Sequence, residues 1–358
     1  MPTLIPTKER LTPKDRLTLA LQGKTVDRPP CICPGGMMNM IVESVMDRTK
    51  SPWPEAHSDS RLMADLAAGM YEGGGFENYG VPFCMTVEAE SMGAPVSMGS
   101  RTHEPRVTDY PIDAVSRWIE LRDIDVTTGR AKVVIEAIRH LGKKNPEVPI
   151  IANLTGPISL ATSLIEPVLF FKALHKKPEE AHELLEHVTK NLIAFGKAQL
   201  EAGAQLLTIS DPSGTGEILG PRMFARFALP YLNAIVRELN DFAKAGTIIH
   251  ICGRLKGIYQ ELNLLGCDAL SFDAITDVRQ VAEHVTGKVL MGNVSTFALE
   301  NSGPEKITAL CKSCLAHGVD ILSPACGIGP RTPFENIQAM VNAAKKGEKK
   351  EGANKEGT

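Results

Sequence analysis

From about residue 146 onward, short apolar runs rich in β-branched residues alternate with amphipathic helical stretches. That alternation is the pattern of βα units feeding a parallel sheet. Strands are predicted at 148–153, 205–210, 247–251, 268–272, 288–291 and 320–323, with helices at 178–202, 222–244, 255–265, 277–285 and 304–317 between or after them. The last of these helices opens on Pro304, a residue suited to a first helical turn. Upstream, 30–33 and 81–87 supply two further strand candidates, and eight strands make a closed barrel the expected architecture. An open doubly wound sheet is the competing arrangement, but no G-x-G-x-x-G follows the first strand. Each later strand instead ends in its own polar or small-residue loop, as on the C-terminal face of a barrel. The expected fold is therefore an α/β, (β/α)8 barrel forming one domain over 1–345, with a helical N-terminal extension at 14–22 capping its bottom.

A length of 358 residues fits such a barrel with insertions, and 43% apolar with 23% charged residues is ordinary for a globular chain with a sizeable core. A formal net charge of -3 and the absence of a dense Lys/Arg stripe argue against a nucleic-acid partner. The end is different: from Ala343 onward Lys, Glu and Gly dominate, which predicts a solvated, frayed terminus with the tail proper at 346–358. No uninterrupted apolar run long enough for a membrane span and no leader-like apolar segment occur, so a cytoplasmic protein is expected. In that setting eight cysteines read as thiols or metal ligands rather than a disulfide framework.

The sharpest local feature is His250-Ile251-Cys252-Gly253 at the end of a predicted strand. Residues i and i+2 of a strand point to one side, so His250 and Cys252 can reach a single metal ion. The best third ligand is Cys326, in Ser323-Pro324-Ala325-Cys326-Gly327, at the end of the last predicted strand. One imidazole and two thiolates suit Zn2+, and three protein ligands leave a place open for a substrate, the mark of a catalytic site. The competing reading of each half is a packed histidine beside a buried thiol. Cys311-x-x-Cys314 has metal-like spacing, but it lies inside a helical run with no second pair, and core packing is the better reading. Cys31, Cys33, Cys84 and Cys267 sit in strand-like apolar runs and read the same way.

With these residues assembled, the chain resembles the methylcobalamin:coenzyme M methyltransferases, a zinc-dependent branch of the uroporphyrinogen decarboxylase superfamily. The likeness rests on Thr12-Pro13-Lys14-Asp15-Arg16 with Val26-Asp27-Arg28-Pro29, on 81–90 (VPFCMTVEAE), and on Asn153-Leu154-Thr155-Gly156-Pro157. It continues through His250-Ile251-Cys252-Gly253, Met291-Gly292-Asn293-Val294 and Pro324-Ala325-Cys326-Gly327-Ile328. The decarboxylase branch carries arginine after the first strand to grip porphyrinogen carboxylates, whereas 34–40 here reads PGGMMNM. The resemblance implies a barrel whose zinc, on His250, Cys252 and Cys326, activates the thiol of a methyl acceptor such as coenzyme M. It also implies a methylated corrinoid as donor. A corrinoid is large, and no D-x-H-x-x-G segment occurs, so a separate corrinoid carrier protein docking over the barrel top is expected. One departure is Arg254-Leu255-Lys256 after the H-x-C-G, where the family has small polar residues; the two cations either serve an anionic acceptor or decorate a helix.

Glu88 and Glu90 are candidates to take the displaced thiol proton or to fill the fourth metal place; otherwise they are a surface pair at a strand end. Asp211, Asn153 and Asn293 follow predicted strands and either face the cavity, orienting substrate or supporting His250, or cap the next helix. Two other activities fit the residues: an upstream methyltransferase loading a corrinoid from a methoxy, methylamine or halomethane donor, and a decarboxylase-like lyase.

Overall fold

The structure, a computed structural model, describes residues 11–347. Its strands are β1 (Tyr79–Gly80), β2 (Val96–Ser97), β3 (Arg106–Val107), β4 (Ile150–Thr155), β5 (Leu206–Ser210), β6 (Gly246–Ile251), β7 (Ala269–Phe272), β8 (Val289–Val294) and β9 (Ile321–Pro324). β1 and β4 to β9 pair in that order, all parallel, in one sheet. β4, β5, β8 and β9 are buried throughout, as strands covered on both faces must be.

Residues 30–33 close the ring between β9 and β1. Leu322 N–H donates to the Pro30 carbonyl (2.9 Å), Ile32 N–H to the Leu322 carbonyl (3.0 Å) and Glu77 N–H to the Cys31 carbonyl (2.9 Å). Pro29, Pro30 and Pro34 withhold backbone donors here, and the Asn78 side chain substitutes for part of the ladder. Its Nδ2 donates to the Cys33 carbonyl (2.8 Å) while its Oδ1 accepts Cys33 N–H (3.0 Å). The eight segments form a closed (β/α)8 barrel. Its N-terminal end is covered by the Pro13–Leu21 helix, which Thr12 caps and whose Lys14 N–H donates to the Glu147 carbonyl just ahead of β4 (2.9 Å).

Several expected elements change. The strand expected at 81–87 does not form; β1 ends at Gly80, just before it, because Pro82 cannot continue the ladder and the chain turns into the Val87–Ser91 helix. Glu88 and Glu90 therefore sit on a helix, not at a strand end. The helix expected at 222–244 is Gly216–Met223, a π turn at Phe224–Ala228 and Leu229–Leu239, with Gly220, Pro221 and Pro230 interrupting regular pairing. The tail begins later than expected, since Ala343 and Ala344 are buried in the Phe334–Lys346 helix; the rest of it, 348–358, lies outside the described residues.

Between β1 and β4 the chain makes a long excursion that includes the antiparallel β2–β3 hairpin and the Gly129–Leu141 helix. Near its root, His57 is 1% exposed, packs against Trp53 and Phe83, and has no partner at either ring nitrogen among the described residues. Burial, aided by the Arg130 charge, pushes its imidazole down to about 3. The unfolded chain takes up a proton there near pH 6.5 and the folded chain does not, so stability is complete above that pH and falls as the pH drops toward 3. The slope is about 1.4 kcal/mol per pH unit. His57→Phe is expected to remove about 2 kcal/mol of the loss between pH 6.5 and 5, read from urea unfolding at the two pH values. An unchanged difference would show that another group governs the acid sensitivity.

Candidate metal centre

Strand pairing places Thr155, Ser210, His250, Ser271, Met291 and Ile321 in one row around the barrel. His250 is fully buried in that row; Cys252 is the first residue past β6, and Cys326 lies two residues past β9. Both cysteines are half-buried at the C-terminal mouth. His250 Nε2 lies 3.0 Å from Cys252 Sγ, the two sulfurs are 3.9 Å apart, and all three ligand atoms fall within 4.8 Å of one another. Among the described residues this is the one cluster of three or more His, Cys, Asp or Glu groups able to hold a metal.

The loops that carry the two sulfurs are shaped by the glycine after each. Gly253 adopts φ +77°, and a Cβ there would come within 2.6 Å of Glu217 Oε2. A Cβ on Gly327 would meet the Met37 carbonyl oxygen at 2.7 Å. Each glycine thus lets a neighbouring loop close against a ligand-bearing turn.

The hydrogen bond shared by the sulfurs draws the Cys326 thiol well below its ordinary range, with His250 adding to the effect. The same bond and burial push Cys252 up. The hydrogen bond between the sulfurs thus favours a pair that has given up one of its two protons. The donor set fits zinc: bonds of about 2.3 Å at tetrahedral angles put two thiolate sulfurs roughly 3.8 Å apart, close to the observed 3.9 Å. His250 Nδ1 is 2.9 Å from Ser271 Oγ; with Nδ1 protonated and donating, Nε2 keeps its lone pair for a metal. Ser271→Ala is expected to weaken metal affinity by about 10- to 100-fold, measured by competition with a chelator, without changing stoichiometry.

The other candidate side chains are engaged elsewhere. Glu88 is 3% exposed and raised by burial, and its carboxylate accepts Thr155 N–H (2.7 Å) and Oγ1–H (3.2 Å) at the top of β4. Glu90 is ion-paired with the buried Arg130. Asp211 is fully buried and accepts Ile158 N–H, Ser159 N–H and Ser159 Oγ–H, so it caps the start of the Pro157–Leu164 helix. Asn153 lies within β4 and donates to the Pro34 and Val81 carbonyls (2.9 and 3.1 Å), tying loops over the barrel. Asn293 donates to the Asp273 and Thr276 carbonyls and accepts from Cys314 of the outer Pro304–Ala316 helix, so it faces the helical layer rather than the cavity. Arg254 is an exposed rim residue paired with Glu217 (2.9 Å).

Two residues that adjoin the centre, and one charge within its electrostatic reach, had no local signal. Ser271 belongs to a predicted strand, but only pairing with β6 sets it beside His250. Met37 Sδ lies 3.6 Å from Cys326 Sγ, in a loop notable by sequence only for lacking arginine. Glu104, between β2 and β3, is within electrostatic reach of Cys326; burial and then that sulfur's charge hold its carboxyl up to about 8.

Residues 12–347 match the uroporphyrinogen decarboxylase (URO-D) family. The chain is 35% identical over 340 residues to the methylcobamide:CoM methyltransferase MtaA of Methanosarcina barkeri, covering 93% of this chain and 97% of that one. It is 34% identical over 336 residues to the methylcobamide:CoM methyltransferase MtbA of Methanosarcina acetivorans, with 93% and 98% covered. A uroporphyrinogen decarboxylase of Coxiella burnetii is 31% identical, but over 59% of this chain and 60% of its own length. Among solved structures, a methyltransferase from Methanosarcina mazei superposes with a TM-score of 0.85 at 33% identity, covering 94% of this chain and 99% of that one. The chain belongs to the uroporphyrinogen decarboxylase family. Within it, the full-length likeness to methyltransferases makes it a methyltransferase. No single helix among the described residues is long and apolar enough to cross a membrane.

Proposed function

We propose that the chain moves a methyl group from a methylated corrinoid to a small thiol held on zinc by His250, Cys252 and Cys326. The observation that carries this reading is the convergence of one imidazole nitrogen and two sulfurs within 4.8 Å at the barrel mouth. Full-length similarity to methylcobamide:CoM methyltransferases supports the donor and suggests coenzyme M as an acceptor. His250, Cys252 and Cys326 would hold the zinc, which would supply the Lewis acidity to deprotonate an incoming thiol and keep it as a thiolate. Cys252 and Cys326 contribute two negative charges, so the acceptor sulfur stays electron-rich and nucleophilic. Ser271 fixes the imidazole, and Met37 and Met38 keep one side of the centre apolar. The acceptor sulfur forms its bond to the methyl carbon as the carbon–cobalt bond breaks, and cobalt retains that electron pair. A corrinoid is a large donor, and the two sulfurs lie half-buried at the barrel mouth, which favours delivery by a carrier protein docked on the rim. The lyase alternative is less well supported, because 34–40 holds no arginine to grip a polycarboxylate.

The test is zinc content by mass spectrometry together with the loss of methylcobalamin absorbance on adding a thiol. About one zinc per chain and thiol-dependent demethylation are expected. A metal-free protein that still demethylates the corrinoid would overturn the zinc-thiolate mechanism, and a zinc protein inert to every thiol would point to the corrinoid-loading activity instead.

A further inference from the structure

The loop at 34–40 crosses the barrel mouth and is anchored beside the metal cluster. Asn39 Nδ2 donates to the Ile328 carbonyl (2.9 Å), Ile328 N–H donates to the Asn39 carbonyl (2.8 Å), and the Met37 carbonyl abuts Gly327. These contacts join the loop to the turn that bears Cys326. They also fix where two consecutive methionines point. Met38 is fully buried with its sulfur 3.8 Å from Ser271 Oγ, the group that holds His250. Met37 is half-buried with its thioether sulfur 3.6 Å from Cys326 Sγ.

A sulfur entering the open place of a tetrahedral zinc would lie roughly 3.8 Å from Cys326 Sγ, the spacing of two ligands on one ion. Its first carbon then competes with Met37 for the space beside Cys326. Resting on the thiol-on-zinc reading, we propose that Met37 is a specificity-determining residue that restricts the acceptor to thiols unbranched at the carbon bearing sulfur. Its thioether packs against a primary methylene and clashes with an added methyl. One methyl or methylene of mismatch in an apolar pocket is worth about 10- to 200-fold in discrimination. A methionine chain can shift, which places the expected value at the lower end of that range.

Binding of n-propanethiol and isopropanethiol to the full chain, with cobalt(II) in place of zinc, separates this inference from the reading beneath it. The thiolate-to-cobalt absorption band reports occupancy whether or not methyl transfer follows. Wild type is expected to bind the primary isomer at least about tenfold more tightly. Met37→Ala is expected to bring the two affinities within about twofold by opening the clash, while Met37→Leu, of similar volume, keeps the preference. Equal binding of both isomers by wild type, or an undiminished preference in a cobalt-loaded Met37→Ala protein, would overturn the role of Met37 alone. No band with either isomer would overturn thiol binding at the metal, and this inference with it.

Discussion

Cys326→Ala is expected to lose stoichiometric zinc at micromolar metal and, with it, thiol methylation, while keeping its fold. Structural zinc sites bind with about 10–16 kcal/mol over four ligands, so each ligand contributes about 2.5–4 kcal/mol, a factor of roughly 10²–10³ in affinity. The loss here should fall within that range, because the change removes one of the two sulfurs 3.9 Å apart that could share the ion. Cys326 is half-buried on a loop at the mouth, and truncating it removes no core packing comparable to a buried leucine. The melting transition of the metal-free variant should therefore match that of metal-stripped wild type. Equilibrium dialysis with zinc decides the matter: an unchanged affinity would show that His250, Cys252 and Cys326 do not share one ion.

The second large effect is at the opposite end of the barrel. Glu77 is 5% exposed, pairs with Arg28 through both oxygens, lies 3.9 Å from the buried Arg16, and accepts Cys31 N–H (3.1 Å). Arg16 also pairs with Asp27 (2.7 Å), so four charged groups interlock just before β1 and the closing segment. Removing the shared carboxylate leaves two largely buried guanidinium groups short of counter-charge and one backbone N–H without its acceptor. Glu77→Ala is expected to cost about 3–5 kcal/mol, the range for breaking a buried ion pair from one side. Urea unfolding measures the loss. Because this network lies at the N-terminal ends of the strands, zinc affinity of the folded fraction should not change. A loss below about 1 kcal/mol would mean that the network behaves like a surface pair.

These two sites differ in how far the sequence announced them. The H-x-C spacing at 250–252 follows from strand alternation, a local property, and the structure does set the two ligand atoms 3.0 Å apart. The Arg16, Arg28 and Glu77 network had no such signature, since its members are spaced irregularly along the chain. The same holds for the asparagines: Asn153 and Asn293 both lie near strand ends, yet one ties loops over the barrel while the other meets the outer helix.

What the sequence determined by itself was the set of segments that must be buried, their period, and hence the βα alternation, seven of the eight barrel segments and the pair His250 and Cys252. Those features depend on neighbours within a few residues, where side-chain direction is set by the backbone period. Tertiary structure alone decided that 30–33 closes the ring with help from Asn78. It decided too that β6 and β9 bring Cys326 to the pair, and that Ser271 and Met37 stand against the ligands. Each of those depends on register and crossing between segments up to 289 residues apart, as for Cys326 and Met37, and no local periodicity encodes a distance of that kind.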